Sequence, residues 1–345
     1  MAYRAGVAGA SGYTGAELLR LLAAHPEIEV VAATAASHAG STVASVYPSL
    51  ASAYPSLELH SLDVRGLAGL DLVFLALPHG ESQQIAPALV EQVGHIVDLG
   101  ADFRLPAEVY ERWYGTAHTA PELIGEFAFG MVELFRPEIA RADHVAAPGC
   151  YPTAAALALA PLYAEGLAQP TGVIVDAMSG VSGAGRGLKL GSHFSEVDES
   201  VSAYGLLTHR HTAEIELALT HVGSGPVTVL FTPHLVPMVR GIHASCHTRP
   251  AVDGLSTARL LQTYRDYYAG EAFVSVHDDP SPTKATLGGN ACHVSVRYDE
   301  RTGSILATGA IDNLGKGASG QAIQSANLLL GLPEGTGLTS AGMWP

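Results

Sequence analysis

Cysteine is scarce in this sequence, and so is positive charge. Three cysteines, Cys150, Cys246 and Cys292, stand among 345 residues. Their spacing matches neither a disulfide framework nor a zinc motif, so we expect a protein of the reducing cytoplasm. Only 18 basic residues face 33 acidic ones, giving a net charge of -15. Nucleic acids and anionic membranes would repel such a surface, which argues against both as partners.

Long apolar runs are also missing. No apolar stretch is long enough to span a bilayer, and the N-terminal segment lacks the apolar core of a signal peptide. We therefore expect a soluble protein with no membrane partner. Hydrophobic residues still make up 48% of the chain, enough to exclude a disordered protein. The length exceeds what one typical core sustains and predicts two domains.

The first 150 residues alternate short apolar runs with helical patterns. Strands are predicted over 3–9 and 28–34, on either side of a helix over 16–26, and further strands over 70–78 and 94–100. This alternation is typical of an α/β fold in which helices cover a mostly parallel sheet.

The pattern changes in the second half. A helix over about 152–166 precedes a strand over 172–180, and one helical pattern over 256–269 separates the later strands "PVTVLFTPHLVP", "GIHASCHT" and "ACHVSVRY". We expect an antiparallel sheet with helices in a second domain. The last helix, over 320–332, has apolar spacing suited to packing back on the first domain.

A glycine-rich loop lies between the first strand and the first helix. Gly9, Gly12 and Gly15 stand at G-x-x-G-x-x-G spacing. Glycines permit a tight turn and close approach of a pyrophosphate, while the helix N-terminus donates N–H groups to the anion. The loop predicts dinucleotide binding, with a structural turn as the alternative, because the spacing departs from strict G-x-G-x-x-G.

The loop after the second strand indicates which dinucleotide. An NAD site usually has Asp or Glu there for the ribose 2′-hydroxyl, whereas this sequence reads "AATAASHAGS". The loop contains no carboxylate that would repel a 2′-phosphate, so we favour NADP, with Ser37 and His38 near that phosphate. The loop also contains no Arg or Lys that could pair with the phosphate.

Cys150 lies in the segment "PGCYPTA". Pro152 suits a first helical position, so we expect a helix from about Pro152 with Cys150 at its mouth. The helix dipole favours a thiolate there but is worth only about 0.3–1 kcal/mol, so a nucleophile would need a base or cation as well. The alternative is a small buried hydrophobic side chain.

The segment "GLLTHRHTAEIELAL" can supply that base. We expect Thr212 to cap a helix beginning at Ala213, which places His209, Arg210 and His211 on the loop before it. Structural or surface histidines are one alternative. Metal binding with the segment "HASCH" is another, but the zinc pattern is incomplete and we predict no metal.

Seven segments in order identify a family. The sequence contains "GASGYTGAELLRLL", "FLALPHGES", "DLGADFRL", "PGCYPTA", "SGVSGAGR", "HRHTAEIE" and "DNLGKGASGQAIQ". Together they resemble the N-acetyl-gamma-glutamyl-phosphate reductase family, NADPH-dependent enzymes of arginine biosynthesis related in fold to aspartate-semialdehyde dehydrogenase. The resemblance implies an α/β protein with a Rossmann-like NADP-binding domain, residues 1–149 completed by 314–345. It implies a second α/β catalytic and oligomerisation domain over 150–313, and a homodimer or homotetramer.

The resemblance also implies roles for individual residues. Cys150 would be the nucleophile and His211 the acid-base group, with His209 as the alternative. Cofactor contacts would come from Gly9, Ser11, Gly12, Tyr13, Thr14, Gly15, Leu77, Pro78, His79, Gly80, Ser179, Gly180, Gly183 and Asn313. Cations for the substrate would come from Arg210, Arg186, Lys189 and Arg240. The "ASHAGS" loop departs from the family, where a basic residue commonly follows the serine.

The implied reaction is reduction of an acyl phosphate through a cysteine thioester. Within enzymes, the alternatives are reductases of aspartyl phosphate or of carrier-linked aminoadipyl or glutamyl phosphates. In another class, the alternative is a dinucleotide-sensing regulator without turnover, which gives no reason for the cysteine and the histidines.

Overall fold

Short apolar runs in the first 150 residues form one parallel sheet. In the computed structural model, which describes residues 2–344, its strands are β1 (Tyr3–Ala8), β2 (Ile28–Thr34), β3 (Leu59–His60), β4 (Leu72–Leu75), β5 (His95–Asp98), β6 (Phe127–Phe129) and β7 (His144–Ala146). Their order is β3-β2-β1-β4-β5-β7-β6, with every neighbouring pair parallel. All four residues of β4 are buried, as expected for a strand covered on both faces.

Helices connect these strands. They are α1 (Tyr13–Leu22), α2 (Val43–Val46), α3 (Ser82–Leu89), α4 (Ala107–Tyr114) and α5 (Val132–Ile139). Helix α1 begins three residues earlier than the sequence predicted, because Gly12 is extended (φ -78°, ψ 167°) and the helix follows it directly. The strand predicted over 28–34 has the same bounds in the structure.

A second sheet is formed by β8 (Val173–Ser179), β9 (Ser202–Ala203), β10 (Val229–Leu235), β11 (Ile242–Thr248), β12 (Val274–Val276), β13 (Cys292–Asp299) and β14 (Ser304–Ile311). The order is β12-β13-β14-β11-β8-β10-β9. The prediction of an antiparallel sheet is wrong for two pairs, because β8 with β10 and β12 with β13 are parallel. A long crossover joins each of these pairs, which is what parallel neighbours require.

The helices of this second part are α6 (Cys150–Ala164), α7 (Phe194–Val197), α8 (His211–Val222) and α9 (Thr257–Tyr267). Helix α6 is buried from Tyr151 to Tyr163, as expected for a helix that is apolar all round. Gly309 of β14 permits its close approach, since a Cβ there would lie 2.3 Å from the Ala154 carbonyl oxygen.

The described chain divides into two units. The first runs to Pro148 and contains Ala318–Leu338, and the second contains Gly149–Gly317 and the chain from Thr339. Helix α10 (Gly320–Leu329) therefore lies in the first unit, where Gln321 Nε2 donates to the Gly130 carbonyl oxygen (2.9 Å).

The last residues lie elsewhere than the sequence suggested. We expected all of 314–345 with the first domain, but residues 314–317 and the described residues from Thr339 lie with the second unit. Backbone hydrogen bonds hold them there, from Asn290 N–H to the Thr339 carbonyl oxygen (2.7 Å) and from Met343 N–H to that of Leu287 (2.6 Å).

Residues 2–344 contain neither a membrane-spanning helix nor a grouped set of metal ligands. None of the helices they form combines the length and apolar character needed to cross a membrane. Within the same range, no three His, Cys, Asp or Glu side chains are grouped so that they could hold a metal ion.

Candidate active site

Cys150 is the first residue of α6. Gly149 precedes it as an extended N-cap (φ -68°, ψ 155°), so the helix begins two residues before the predicted Pro152. Proline is still tolerated in that first turn, where its missing N–H has no helical acceptor. Cys150 is half-buried, whereas Cys246 and Cys292 are fully buried in strands. Burial raises the pKa of the Cys246 thiol, so that thiol is poorly suited to nucleophilic attack.

His211 packs directly against the residue before the cysteine. A Cβ built on Gly149 would lie 2.5 Å from His211 Nε2 and 2.8 Å from its Cε1. Such distances are far below van der Waals contact, so the imidazole occupies the space that any other side chain would need. The absence of a side chain at position 149 therefore determines how close His211 comes to the start of α6.

Glu214 connects the same elements from α8. Its carboxylate is fully buried, Oε2 accepts the Gly149 N–H (2.8 Å), and Oε1 lies 3.9 Å from His211 Nε2. One buried carboxylate thus fixes the turn before Cys150 and lies beside the imidazole. The sequence reasoning missed Glu214. The available signal was an acidic residue three positions after His211, on the same helix face.

Thr212 does not cap α8 as predicted. The helix begins at His211, its N-cap is Arg210, and Thr212 Oγ1 donates to the His209 carbonyl oxygen (2.8 Å) within the first turn. Only His209 and Arg210 therefore precede the helix. His211 is its first residue, which fixes the backbone of that histidine in a helical turn.

His209 lies among aromatic rings. Its ring centroid is 5.7 Å from that of Tyr151, 5.5 Å from Tyr204 and 5.3 Å from Phe231. Burial, with a smaller contribution from the Arg210 charge, lowers the pKa of His209 to about 4. Its Nδ1 accepts the His211 N–H (3.3 Å). His209 is therefore neutral at physiological pH, with the remaining proton on Nε2.

Four of the residues predicted to contact the cofactor come together in the second unit. Asn313 Oδ1 accepts the Gly241 N–H (2.7 Å), and the Gly180 N–H donates to the Gly241 carbonyl oxygen (2.9 Å). A Cβ on Gly183 would lie 3.0 Å from Ser179 Oγ. The structure thus groups Ser179, Gly180, Gly183 and Asn313 around one turn.

The four candidate substrate cations differ in their surroundings. Arg240 Nε lies 2.9 Å from Oδ2 of Asp312, a fully buried carboxylate that also accepts the Gly288 N–H (2.6 Å). Arg186 and Lys189 are exposed on the loop after β8, and Arg210 is half-buried before α8. Arg240 is therefore held by an ion pair with a buried carboxylate, Asp312, which the sequence reasoning missed.

The glycine loop of the first unit fits a dinucleotide phosphate. Gly9 has a left-handed φ of +85°, and a Cβ there would lie 2.2 Å from the Ala76 carbonyl oxygen. A Cβ on Gly15 would lie 2.3 Å from the Gly9 carbonyl oxygen. Gly12 caps α1 and has no side chain to accept from its first-turn N–H groups. These groups are the usual donors to a bound phosphate.

The remaining cofactor candidates follow neighbouring strands. Ser11, Tyr13 and Thr14 follow β1, Ser37 follows β2, and the loop Leu77–Gly80 follows β4. Because β2, β1 and β4 are adjacent and parallel, these loops share one edge of the sheet, at the point where the strand order reverses. Dinucleotides bind at such points.

Asp102 shapes the last of these loops and was also missed. Its buried carboxylate accepts the Gly80 N–H (2.9 Å), the Gln83 N–H (3.1 Å) and the Tyr110 hydroxyl (3.2 Å). Gly80 has a left-handed φ of +87°.

Ser37 and His38 are the two residues predicted to lie near a 2′-phosphate. Their side chains contact each other, since Ser37 Oγ lies 2.9 Å from His38 Nδ1.

Comparison with known proteins gives concordant matches. Residues 4–143 match the family described as "Semialdehyde dehydrogenase, NAD binding domain", and residues 150–313 match "Semialdehyde dehydrogenase, dimerisation domain". N-acetyl-gamma-glutamyl-phosphate reductase of Symbiobacterium thermophilum is 50% identical over 99% of both chains. The protein of the same name from Desulforudis audaxviator is 48% identical over the same share.

Solved structures show the same fold. Aspartate semialdehyde dehydrogenase II of Vibrio cholerae, in complex with ASA, aligns with a TM-score of 0.72 and 17% identity over 96% of this chain and 98% of that one. Aspartate semialdehyde dehydrogenase of Candida albicans, with NADP, aligns with a TM-score of 0.64 and 15% identity over 95% of this chain and 98% of that one.

Proposed function

The chain belongs to the N-acetyl-gamma-glutamyl-phosphate reductase family, and we propose that it converts N-acetyl-gamma-glutamyl phosphate and NADPH to N-acetyl-L-glutamate 5-semialdehyde, phosphate and NADP in arginine biosynthesis. One observation carries the chemistry. Cys150 begins α6 directly after Gly149, and the imidazole of His211 packs against that glycine. A thiol at a helix N-terminus, with an imidazole packed against the residue before it, suits an activated nucleophile.

The acyl phosphate is an activated carbonyl. The Cys150 thiolate attacks its carbonyl carbon, the carbon–oxygen bond to the phosphoryl group breaks, and phosphate leaves with the bonding electrons. A thioester on Cys150 remains. The N-terminal turn of α6 supplies backbone N–H donors for the negative charge that develops on the carbonyl oxygen. NADPH, when bound, supplies the hydride that reduces the thioester to the aldehyde.

Proton movement is assigned to His211. It accepts the thiol proton at Nε2 when the thiolate forms, and it holds that proton beside Glu214, whose carboxylate oxygen lies 3.9 Å away. His209 takes another part. With a pKa of about 4 it stays neutral and donates from Nε2, which suits a group that contacts the substrate.

Anionic groups of the substrate need local positive charge in this acidic chain. The Arg240 side chain is held by Asp312. The Arg240 backbone lies next to the turn that carries Gly180, since a Cβ on Gly180 would lie 2.8 Å from the Arg240 backbone nitrogen. Arginine suits planar contacts with carboxylate or phosphate oxygens. We assign Arg240 and Arg210 to the substrate's carboxylate and phosphoryl groups.

The cofactor is proposed to be NADP rather than NAD. The residues after β2 contain no carboxylate up to Thr42, and Ser37 with His38 offers polar atoms for the 2′-phosphate. Gly9, Gly12 and Gly15 hold the loop open to the pyrophosphate, and the loop Leu77–Gly80 flanks the adenosine.

The active form is proposed to be a homodimer or homotetramer in the cytoplasm. The match of residues 150–313 to a dimerisation domain supports self-association, and three cysteines without disulfide spacing suit a reducing compartment. The partner is otherwise a small-molecule acyl phosphate.

The reverse reaction tests the proposal. The purified chain is given NADP, phosphate and N-acetyl-glutamate semialdehyde, and absorbance of the reduced nicotinamide is followed. We expect turnover with NADP above that with NAD, and none with Cys150→Ser. Turnover only with aspartate semialdehyde would assign another acyl phosphate. NADP binding without turnover on either substrate would indicate a dinucleotide-sensing regulator.

A further inference from the structure

One exposed segment of the second unit is unusually apolar. We call residues 186–207 the arm; it leaves the sheet after β8 and returns before α8. Six of its large apolar side chains are each more than half exposed, namely Leu188, Leu190, Phe194, Val201, Leu206 and Leu207. Isolated exposed apolar residues are ordinary, but such a concentration within 22 positions marks an interaction surface.

The area involved matches that of a stable interface. The exposed fractions of these six residues correspond to roughly 800 Å² of surface, about the area that each partner contributes to a standard-size protein interface. A small-molecule substrate could not cover so much apolar surface. The occupant suited to it is a protein.

The C-terminal end of the arm is fixed. Strand β9, within the arm, pairs antiparallel with β10 through Ala203 and His234. Just beyond, the hydroxyl of Tyr204 lies 3.0 Å from that of Tyr151. The arm is therefore a shaped part of the second unit, and its outward apolar side chains are held on a supported backbone.

Charge on the arm is divided into two halves. Arg186 and Lys189 stand before the point between Ser192 and His193, and Glu196, Asp198 and Glu199 stand after it, all exposed. Lys189 and Glu196 are equally far along the chain from the point between Ser192 and His193, and so are Arg186 and Glu199. This is the self-complementary pattern that a two-fold axis requires, because each contact between two copies then occurs twice.

We propose that the arm packs antiparallel against the arm of a second copy of this chain, with the two-fold axis near Ser192 and His193. The apolar side chains nearest the axis, Leu188, Leu190 and Phe194, form the centre of the contact, and Lys189 of each copy faces Glu196 of the other. This inference rests on the proposed self-association and adds which surface makes it. The whole arm falls within the stretch that matches a dimerisation domain.

Charge reversal tests the pairing. Lys189→Glu alone and Glu196→Lys alone should each shift the assembly toward smaller species by at least tenfold in dissociation constant, measured by analytical ultracentrifugation at low salt. The double variant should restore wild-type association. An equimolar mixture of the two single variants should restore it too, because both contacts of the mixed pair then join opposite charges.

The mixing result separates contact between copies from contact within one chain. An ion pair within one arm would be rescued by the double variant but not by mixing, and that outcome would overturn the proposal. So would unchanged association in both single variants. If the wild type is itself monomeric at every concentration, the proposed self-association fails as well, while turnover by the monomer would leave the proposed reaction standing.

Substitution of the apolar side chains provides an independent test. Leu190→Ser with Phe194→Ser should weaken association by at least tenfold. Val252→Ser, at an exposed apolar residue of the same unit outside the arm, should not. Circular dichroism checks that each variant is folded. Equal association of all three proteins would show that the arm takes no part in assembly.

Discussion

Replacing Gly149 by alanine should displace the imidazole of His211 without disturbing the backbone. The torsion angles of Gly149 (φ -68°, ψ 155°) are open to any residue. The new Cβ would lie 2.5 Å from His211 Nε2, whereas ordinary contact needs about 3.5 Å or more. The ring must therefore move by about 1 Å, a displacement that costs on the order of 10²-fold in rate when it affects a catalytic group.

The loss should appear in kcat, because Gly149 contacts the proposed acid-base group, His211. The glycine loop that is proposed to bind the cofactor phosphates belongs to the other unit. We expect the KM for the nicotinamide cofactor to change little, and overpacking to cost about 1–3 kcal/mol of unfolding free energy. The assay is the reverse reaction with N-acetyl-glutamate semialdehyde, together with thermal unfolding to confirm that the variant is folded at the assay temperature.

Gly225→Ala is the matched control. It lies in the same unit, and a Cβ there would meet no atom within 4 Å, so kcat should stay at the wild-type value. If Gly149→Ala keeps kcat within about threefold of wild type, contact with His211 is not required for catalysis, and the assignment of the acid-base group loses its main geometric support.

Three further predictions concern individual side chains. Cys150→Ser should bind cofactor but lose nearly all turnover, while Cys246→Ser stays active. A limiting dose of iodoacetamide, followed by mass spectrometry, should label Cys150 first, and earlier labelling of Cys246 would identify a different nucleophile. His211→Asn should lower the maximal rate by roughly 10²–10⁴-fold, and His209→Asn should mainly raise the substrate KM. The roles must be exchanged if His209→Asn alone removes the basic limb of the pH–rate profile. Burial raises the pKa of Asp98 from 3.8 to about 7. The native state therefore holds this proton more tightly than the unfolded chain, and the stability it contributes at low pH is lost as pH rises through about 7. Asp98→Asn should remove roughly 2–3 kcal/mol of the change in unfolding free energy between about pH 5 and pH 8. Denaturant titrations at both pH values check this, and parallel curves for the two proteins would contradict it.

Local sequence patterns predicted which strands and helices exist more accurately than they predicted where the helices begin. The strand over 28–34 was predicted with its observed bounds, because an apolar run between turn residues is a local signal. Three helices began two or three residues before the predicted position, at Tyr13, Cys150 and His211. Proline and threonine suit several places in a first turn, so they do not fix where a helix starts.

What fixes the start is contact with distant residues. The Gly149 N–H is held by Glu214, 65 positions later, and a spacing of that size leaves no periodic trace in the sequence. The same holds for the parallel pairing of β8 with β10, since strands show apolar alternation whichever neighbour they take.

The sequence by itself determined the local chemistry of this protein: a glycine loop before a helix, a cysteine at a helix N-terminus and histidines around the start of another helix. These depend on backbone preferences and residue types, which act between chain neighbours. Only the tertiary structure decided that His211 packs on Gly149 and that His209 is surrounded by aromatic rings and neutral. It also decided that Asp312 pairs with Arg240, 72 positions away in the sequence. Burial and ion pairing depend on groups that are distant along the chain, and folding alone brings those groups together.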